Sequence, residues 1–182
     1  RDDLRGKVIW PTYPGAQGTA ALLMAAKIWG GSENDIEPAF RQIAALKPFA
    51  AIQGSQDQLY TMFDQEVGAA SVEFGSFTRA YAEARDPNIV IADPVEGQAI
   101  ATNVACITVG TQKQALAEAW VNLHLSPECQ RAYAERIYYS PTIRNLELPA
   151  GLAAKLVMGE DAVGRLVDFD WDVVIRNQPR WS

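Results

Sequence analysis

One histidine and two cysteines in 182 residues leave little material for the commonest catalytic and metal-binding devices. His124 falls on an amphipathic helical pattern with Leu116, Trp120 and Leu123, and neither a Ser-His nor a Cys-His constellation accompanies it. The chain also lacks a Gly-x-Ser-x-Gly elbow, a Walker loop and the six-residue dinucleotide fingerprint. Cys106 and Cys129 stand at no metal-like spacing; they read either as two buried thiols or as a disulfide between a strand and a helix. Basic residues are scarce, 16 against 22 acidic ones, for a net charge of −6. A broad nucleic-acid-binding surface is therefore excluded. No apolar run approaches the ~20 residues that cross a bilayer; the longest, Ala20 to Trp29, is short and contains Lys27. Internal repeats and low-complexity tracts are absent too.

What is present is an ordinary globular composition, 48% hydrophobic and 21% charged. Short β-branched or aromatic runs alternate with helical periodicity, which predicts an α/β fold with a largely parallel sheet. Strands are expected at Lys7–Trp10, Phe49–Gln53, Val67–Phe74, Ile89–Ala92 and Asn103–Thr108. Helices are expected from Gln17 to Trp29, from a cap at Ser32 to Leu46, and in a short segment after Gly54-Ser55. Further helices are expected over Ser76–Arg85, Lys113–Leu125, Pro127–Ile137 (capped by Ser126) and Pro149–Met158.

In such sheets ligands lie beyond the carboxyl ends of the strands. The polar residues collected there are Gln17, Gly18 and Thr19 after the first strand, and Gln53, Gly54 and Ser55 after the second. Glu73 closes the third strand, and Glu96-Gly97 lies beyond the fourth. The two helix starts offer free N–H groups to an anion, although caps and turn glycines explain the same residues. Glu73 fits a carboxylate that recognises a ligand amine, a salt bridge to Arg79 or Arg85, or a catalytic pair with Glu96. Tyr13, Phe74, Tyr138 and Tyr139 sit in or beside loops, where aromatic faces can flank a cation.

The stretches DLRGKVIWPTYPGAQGTAAL, IQGSQDQLYTMFDQEVGAASVEFGSFTRAY, and ADPVEGQAIATNVACITVGTQKQALAEAWVNLHLSPECQRAYAERIYYSPTIRN, together with LVDFDWDVVIRNQPRWS, carry a resemblance. Their G-K-V strand, L-S-P-E-x-Q turn with its Y-S-P sequel, and D-x-D-W segment make the chain similar to extracellular solute-binding proteins of ABC importers, in the group of the spermidine/putrescine-binding proteins. The resemblance implies a periplasmic-binding-protein-like (type II) α/β lobe with a mainly parallel sheet flanked by helices, beside an incomplete second lobe. Residues 5–95 would form the second, C-terminal ligand-binding lobe. Residues 96–145 would supply a hinge strand and helices of the first lobe, and 146–182 a returning segment. The N-terminal lobe would be missing: the chain opens on Arg1 without an initiator methionine and stops at Ser182, so the lack of a signal peptide says little about compartment.

The resemblance further implies a periplasmic, non-enzymatic protein without cofactor or metal, which captures a small polar, amine-containing solute, polyamine-like or zwitterionic. Its partners would be that solute, an ABC permease and the missing lobe, and the fragment would tend to self-associate through uncovered apolar faces. Ligand contacts carry over to Gln17-Gly18, Gln53-Gly54-Ser55, Glu73-Phe74 and Asn103. Polyamine binders have an acid at the position of Asn103 and a tryptophan at that of Ala101, and both departures weaken a polyamine reading. A tyrosine pair that would hold ferric iron is replaced by Glu73-Phe74. The alternatives are the ligand-sensing domain of a regulator and a carboxylate-using hydrolase fragment.

Overall fold

A computed structural model describes residues 2–100 and 102–181; Ala101 lies outside the described residues. The elements are, in order, β1 (Val8–Pro11), α1 (Ala16–Ile28), α2 (Glu37–Ala45), β2 (Ala51–Gln53), α3 (Gln56–Asp64), β3 (Ala70–Ser71), α4 (Gly75–Ala84), β4 (Gln98–Ala99), α5 (Gln114–His124), α6 (Pro127–Ile137), α7 (Ala150–Ala153), α8 (Glu160–Gly164), β5 (Leu166–Val167) and α9 (Trp171–Asn177). They form two compact units, residues 1–74 with 93–99 and 167–182, and residues 75–92 with 100–166.

The first unit is built on a parallel sheet in the order β2-β1-β3, with Ile9 of β1 opposite Ala51 on one side and Ser71 on the other. Parallel neighbours need crossovers, and helices supply them: α1 and α2 between β1 and β2, α3 between β2 and β3. The apolar stripe of α1 buries Leu22, Leu23, Ala25 and Ala26 against Ile36, Ala39, Phe169 and Val174. Phe169 reaches this core from the far end of the sequence, and its burial contributes about 2–3 kcal/mol. The next residue, Asp170, caps α9 by accepting from Val173 N at 3.1 Å. Glu33 fastens the same segment, taking Asp170 N at 2.9 Å and Asn177 Nδ2 at 3.2 Å. The D-x-D-W signature is thus a core anchor followed by a helix cap.

In the second unit α4, α5 and α6 pack together, with Tyr81, Ala82, Gln130 and Ala134 buried. Ser126 caps α6 as its sequence predicts, accepting from Cys129 N at 3.2 Å. Gln130 donates to the carbonyl of His124 at 2.7 Å and accepts from Thr142 N at 2.9 Å, and Ser140 Oγ accepts from Val157 N at 2.9 Å. The glutamine of L-S-P-E-x-Q thus holds the chain just past Y-S-P, and the serine of Y-S-P in turn holds the chain at Val157. Glu83 accepts from Lys155 and from Tyr138, and these hydrogen bonds, that of Lys155 foremost, hold its carboxyl below the usual glutamate range. The His124 ring lies between Trp120 and Tyr133, whose hydroxyl meets its Nδ1 at 2.5 Å.

Six local expectations are corrected. Ile89–Ala92 and Asn103–Thr108 are irregular rather than strands, with Val90 and Val104 each more than three-quarters exposed. β-branched composition does not make a strand without an edge to pair with, and among the described residues neither segment pairs. The third strand contracts from Val67–Phe74 to Ala70–Ser71, since Val67 N is held by Met62 O at the end of α3. Ser32 is bridged to Asp35 and does not cap α2, which starts after Ile36 with Pro38 in its first turn. The expected helix over Pro149–Met158 stops at Ala153. Both cysteines are free, Cys106 exposed and Cys129 half-buried. The stripe of Leu116, Trp120 and Leu123 on α5 is exposed.

Candidate functional site

The order β2-β1-β3 makes β1 the point where the chain turns from one side of the sheet to the other, and the loops leaving β1 and β3 border the crevice this creates. Gln17, in the first turn of α1, enters from the β1 side, and Glu73, two residues past β3, from the other. The two meet: Gln17 Nε2 donates to Glu73 Oε1 at 3.1 Å. Gln56, the first residue of α3 after β2, donates to the same oxygen at 3.3 Å, and the backbone N–H of Phe74 does so at 2.7 Å. One carboxylate oxygen thus gathers donors from the ends of all three strands.

The other oxygen is in the opposite condition. Glu73 Oε2 is sealed from solvent and has no hydrogen-bond partner among the described residues. A buried acceptor without a donor costs about 1–3 kcal/mol, more when it carries charge. Ser71 Oγ, two residues earlier and so on the same side of the extended chain, is also buried and unpartnered. The start of α1 has no side-chain cap and no acid in its first turn, so Glu73 brings a negative charge beside a helix end that favours one.

The remaining candidates are placed as follows. Gly18 is buried, and a Cβ on it would lie 2.2 Å from the carbonyl oxygen of Thr12. Its lack of a side chain is what lets α1 start against the β1 loop. Gly18→Ala should destabilise the protein by about 1–3 kcal/mol through forced displacement of that backbone, measured as a lower urea midpoint; an unchanged midpoint would show the loop yields freely. Tyr13 is half-buried against the core of the first unit and donates to the carbonyl of Gln178 at 2.9 Å, while burial raises its hydroxyl pKa and keeps it a donor. Gln53 is buried at the end of β2, its carbonyl taken by Thr12 N. Gly54 and Ser55 are engaged in capping α3: Ser55 Oγ accepts from Gln58 N at 3.3 Å, and Gln58 Oε1 accepts from Gly54 N at 2.8 Å. Of the two helix starts read as anion sites, only that of α1 is left open.

Phe74 is half-buried beside the carboxylate. Glu96 is exposed in the turn that closes at Gly97, makes no hydrogen bond to the Glu73 cluster, and follows no strand once Ile89–Ala92 is irregular. Asn103 is exposed in irregular chain of the other unit. Sequence reasoning missed Gln56; its signal was its place, the first helical residue after a strand end. Among the described residues no three potential metal ligands cluster. A groove of about 390 Å³ in the second unit, walled by Cys106, Ile107, Leu116 and Trp120, has almost no convergent polar groups and is uncovered helix surface rather than a solute site.

Comparison with known proteins fits this architecture. The sequence profile of a family described as bacterial extracellular solute-binding protein matches residues 1–177. Two solved structures superpose on the whole chain. One, an ABC transporter from Clostridium perfringens, is 22% identical with a TM-score of 0.74, and 58% of it is covered. The other, a periplasmic thiamin binding protein, is 21% identical with a TM-score of 0.75, and 54% of it is covered. The chain thus spans little more than half the length of these structures. No curated protein matches it by sequence.

Proposed function

The chain belongs to the bacterial extracellular solute-binding proteins, and on that premise we propose that it is the greater part of the binding component of an ABC importer. That component captures a small cationic or zwitterionic amine outside the cytoplasmic membrane and hands it to a permease. We assign residues 5–74, 93–99 and 167–182 to its second ligand-binding lobe and 100–145 to the first; 75–92 and 146–166, read with the second lobe in the sequence, lie in the compact unit that holds 100–145. The observation that carries the reading is the carboxylate of Glu73, held at the sheet's switch point with one oxygen saturated and the other buried without a donor. A solute ammonium supplies the missing donor and the opposite charge. An acidic group on the same solute would find the uncapped start of α1.

Only one carboxylate belongs to this cluster, so a single amine suits it better than a long polyamine. Native mass spectrometry of the full-length protein as purified tests the proposal. A retained small molecule bearing a basic nitrogen is the expected result. A retained neutral sugar, or an anion with no basic nitrogen, would overturn it.

A further inference from the structure

Resting on the assignment of residues 100–145 to the first lobe, the surface of that stretch tells what the rest of the lobe must bring. Asn103–Val109 is a run without charge, proline or glycine, and every residue in it is exposed. α5 buries none of its residues. Leu116, Trp120 and Leu123, spaced to share one helix face, are 66%, 53% and 61% exposed. The run and this face border the same groove of about 390 Å³, Cys106 and Ile107 from one side and Leu116 and Trp120 from the other. A strand with one wet face alternates apolar and polar residues, whereas a strand covered on both faces does not. Here the two alternating sets are Val104-Cys106-Thr108 and Ala105-Ile107-Val109, both uncharged and, Thr108 apart, apolar.

We propose that Asn103–Val109 is an interior strand of a second sheet, whose other strands lie in chain outside residues 1–182. α5 covers one face of that sheet with Leu116, Trp120 and Leu123. There is length enough for it: both solved relatives superpose on this whole chain, yet more than two-fifths of each has no counterpart in it. An interior strand needs a neighbour on each edge and a layer on each face. The occupant is therefore a pair of strands backed by a further helix layer, not a single docked peptide. It belongs to the same polypeptide, because a tethered partner acts at an effective concentration on the order of millimolar, far above that of a second copy in solution. Only the lobe assignment is at stake: Glu73 lies in the other unit, and the amine reading stands or falls separately.

Hydrogen exchange in the full-length protein is the test, run at low and at high protein concentration beside analytical ultracentrifugation. The amides of 104–109 should exchange at least ~100-fold more slowly than in an unstructured peptide of the same sequence, and equally at both concentrations. Iodoacetamide should label Cys106 slowly in the folded protein and at the rate of a free thiol in urea. Exchange at the peptide rate, or labelling of the folded protein as fast as in urea, would overturn the strand. Protection that grows with concentration, in step with a dimer, would overturn the tethered occupant in favour of a second copy. Val104→Lys and Ala105→Lys place a charge on opposite faces, and both should lower the urea midpoint of the full-length protein. A midpoint that either substitution leaves unchanged would mean a wet face and overturn the two-layer partner.

Discussion

Glu73→Gln in the full-length protein should weaken solute binding by about 2 kcal/mol or more, roughly 30-fold, because it leaves a desolvated cation facing a neutral amide. The substitution keeps the shape of the side chain. The new amide oxygen can still accept from Gln17, Gln56 and the Phe74 N–H, the three groups that serve Oε1 now. Its NH2 would take the place of Oε2, which has no donor to lose. Folding is therefore expected to change little, and removal of an unpartnered buried charge acts to stabilise the empty protein. Calorimetric titration with the solute that the protein retains, paired with thermal melting of the empty form, separates the two effects. Equal affinity in the variant would remove Glu73 from the binding machinery.

The second large effect lies away from the solute. Gln130→Leu should cost about 2–4 kcal/mol, since it abandons both the carbonyl of His124 and the N–H of Thr142, each at about 1–3 kcal/mol when left unpaired in the interior. Gln130 is 8% exposed, so water does not readily replace what is lost. The matched control is Gln114→Leu: Gln114 is exposed and its side chain bonds to Glu118 one turn on, and its loss should fall within about 0.5 kcal/mol. Urea denaturation of both variants checks the contrast. A Gln130 variant as mild as the control would mean that the loop after α6 is held by its packing alone.

How legible was this in the sequence? The three parallel strands and the helices joining them were, because alternation of β-branched runs with amphipathic periods reflects burial that a parallel sheet imposes. Glu73 was conspicuous for the same reason, as an acid closing a run of small apolar residues. Ile89–Ala92 and Asn103–Thr108 misled because strand propensity is a statement about having neighbours, and the sequence of a segment does not contain its neighbours. Gly54 and Ser55 were ambiguous for another cause: a helix start that welcomes an anion and one that caps itself use the same residue types. Only the geometry of Ser55 Oγ on Gln58 N decides it. Gln56 escaped because a glutamine at a helix start is common, and what distinguishes this one is a partner 17 residues further along the chain.

The convergence on one oxygen of Glu73 has a kinetic corollary. Positions 17, 56 and 73 become neighbours only when β2 and β3 have both docked on β1, so no partly assembled sheet holds the full set of donors. The side-chain amide protons of Gln17 and Gln56 are consequently a built-in clock for the first unit. In a refolding experiment they gain protection from solvent exchange no earlier than the backbone of β1, β2 and β3.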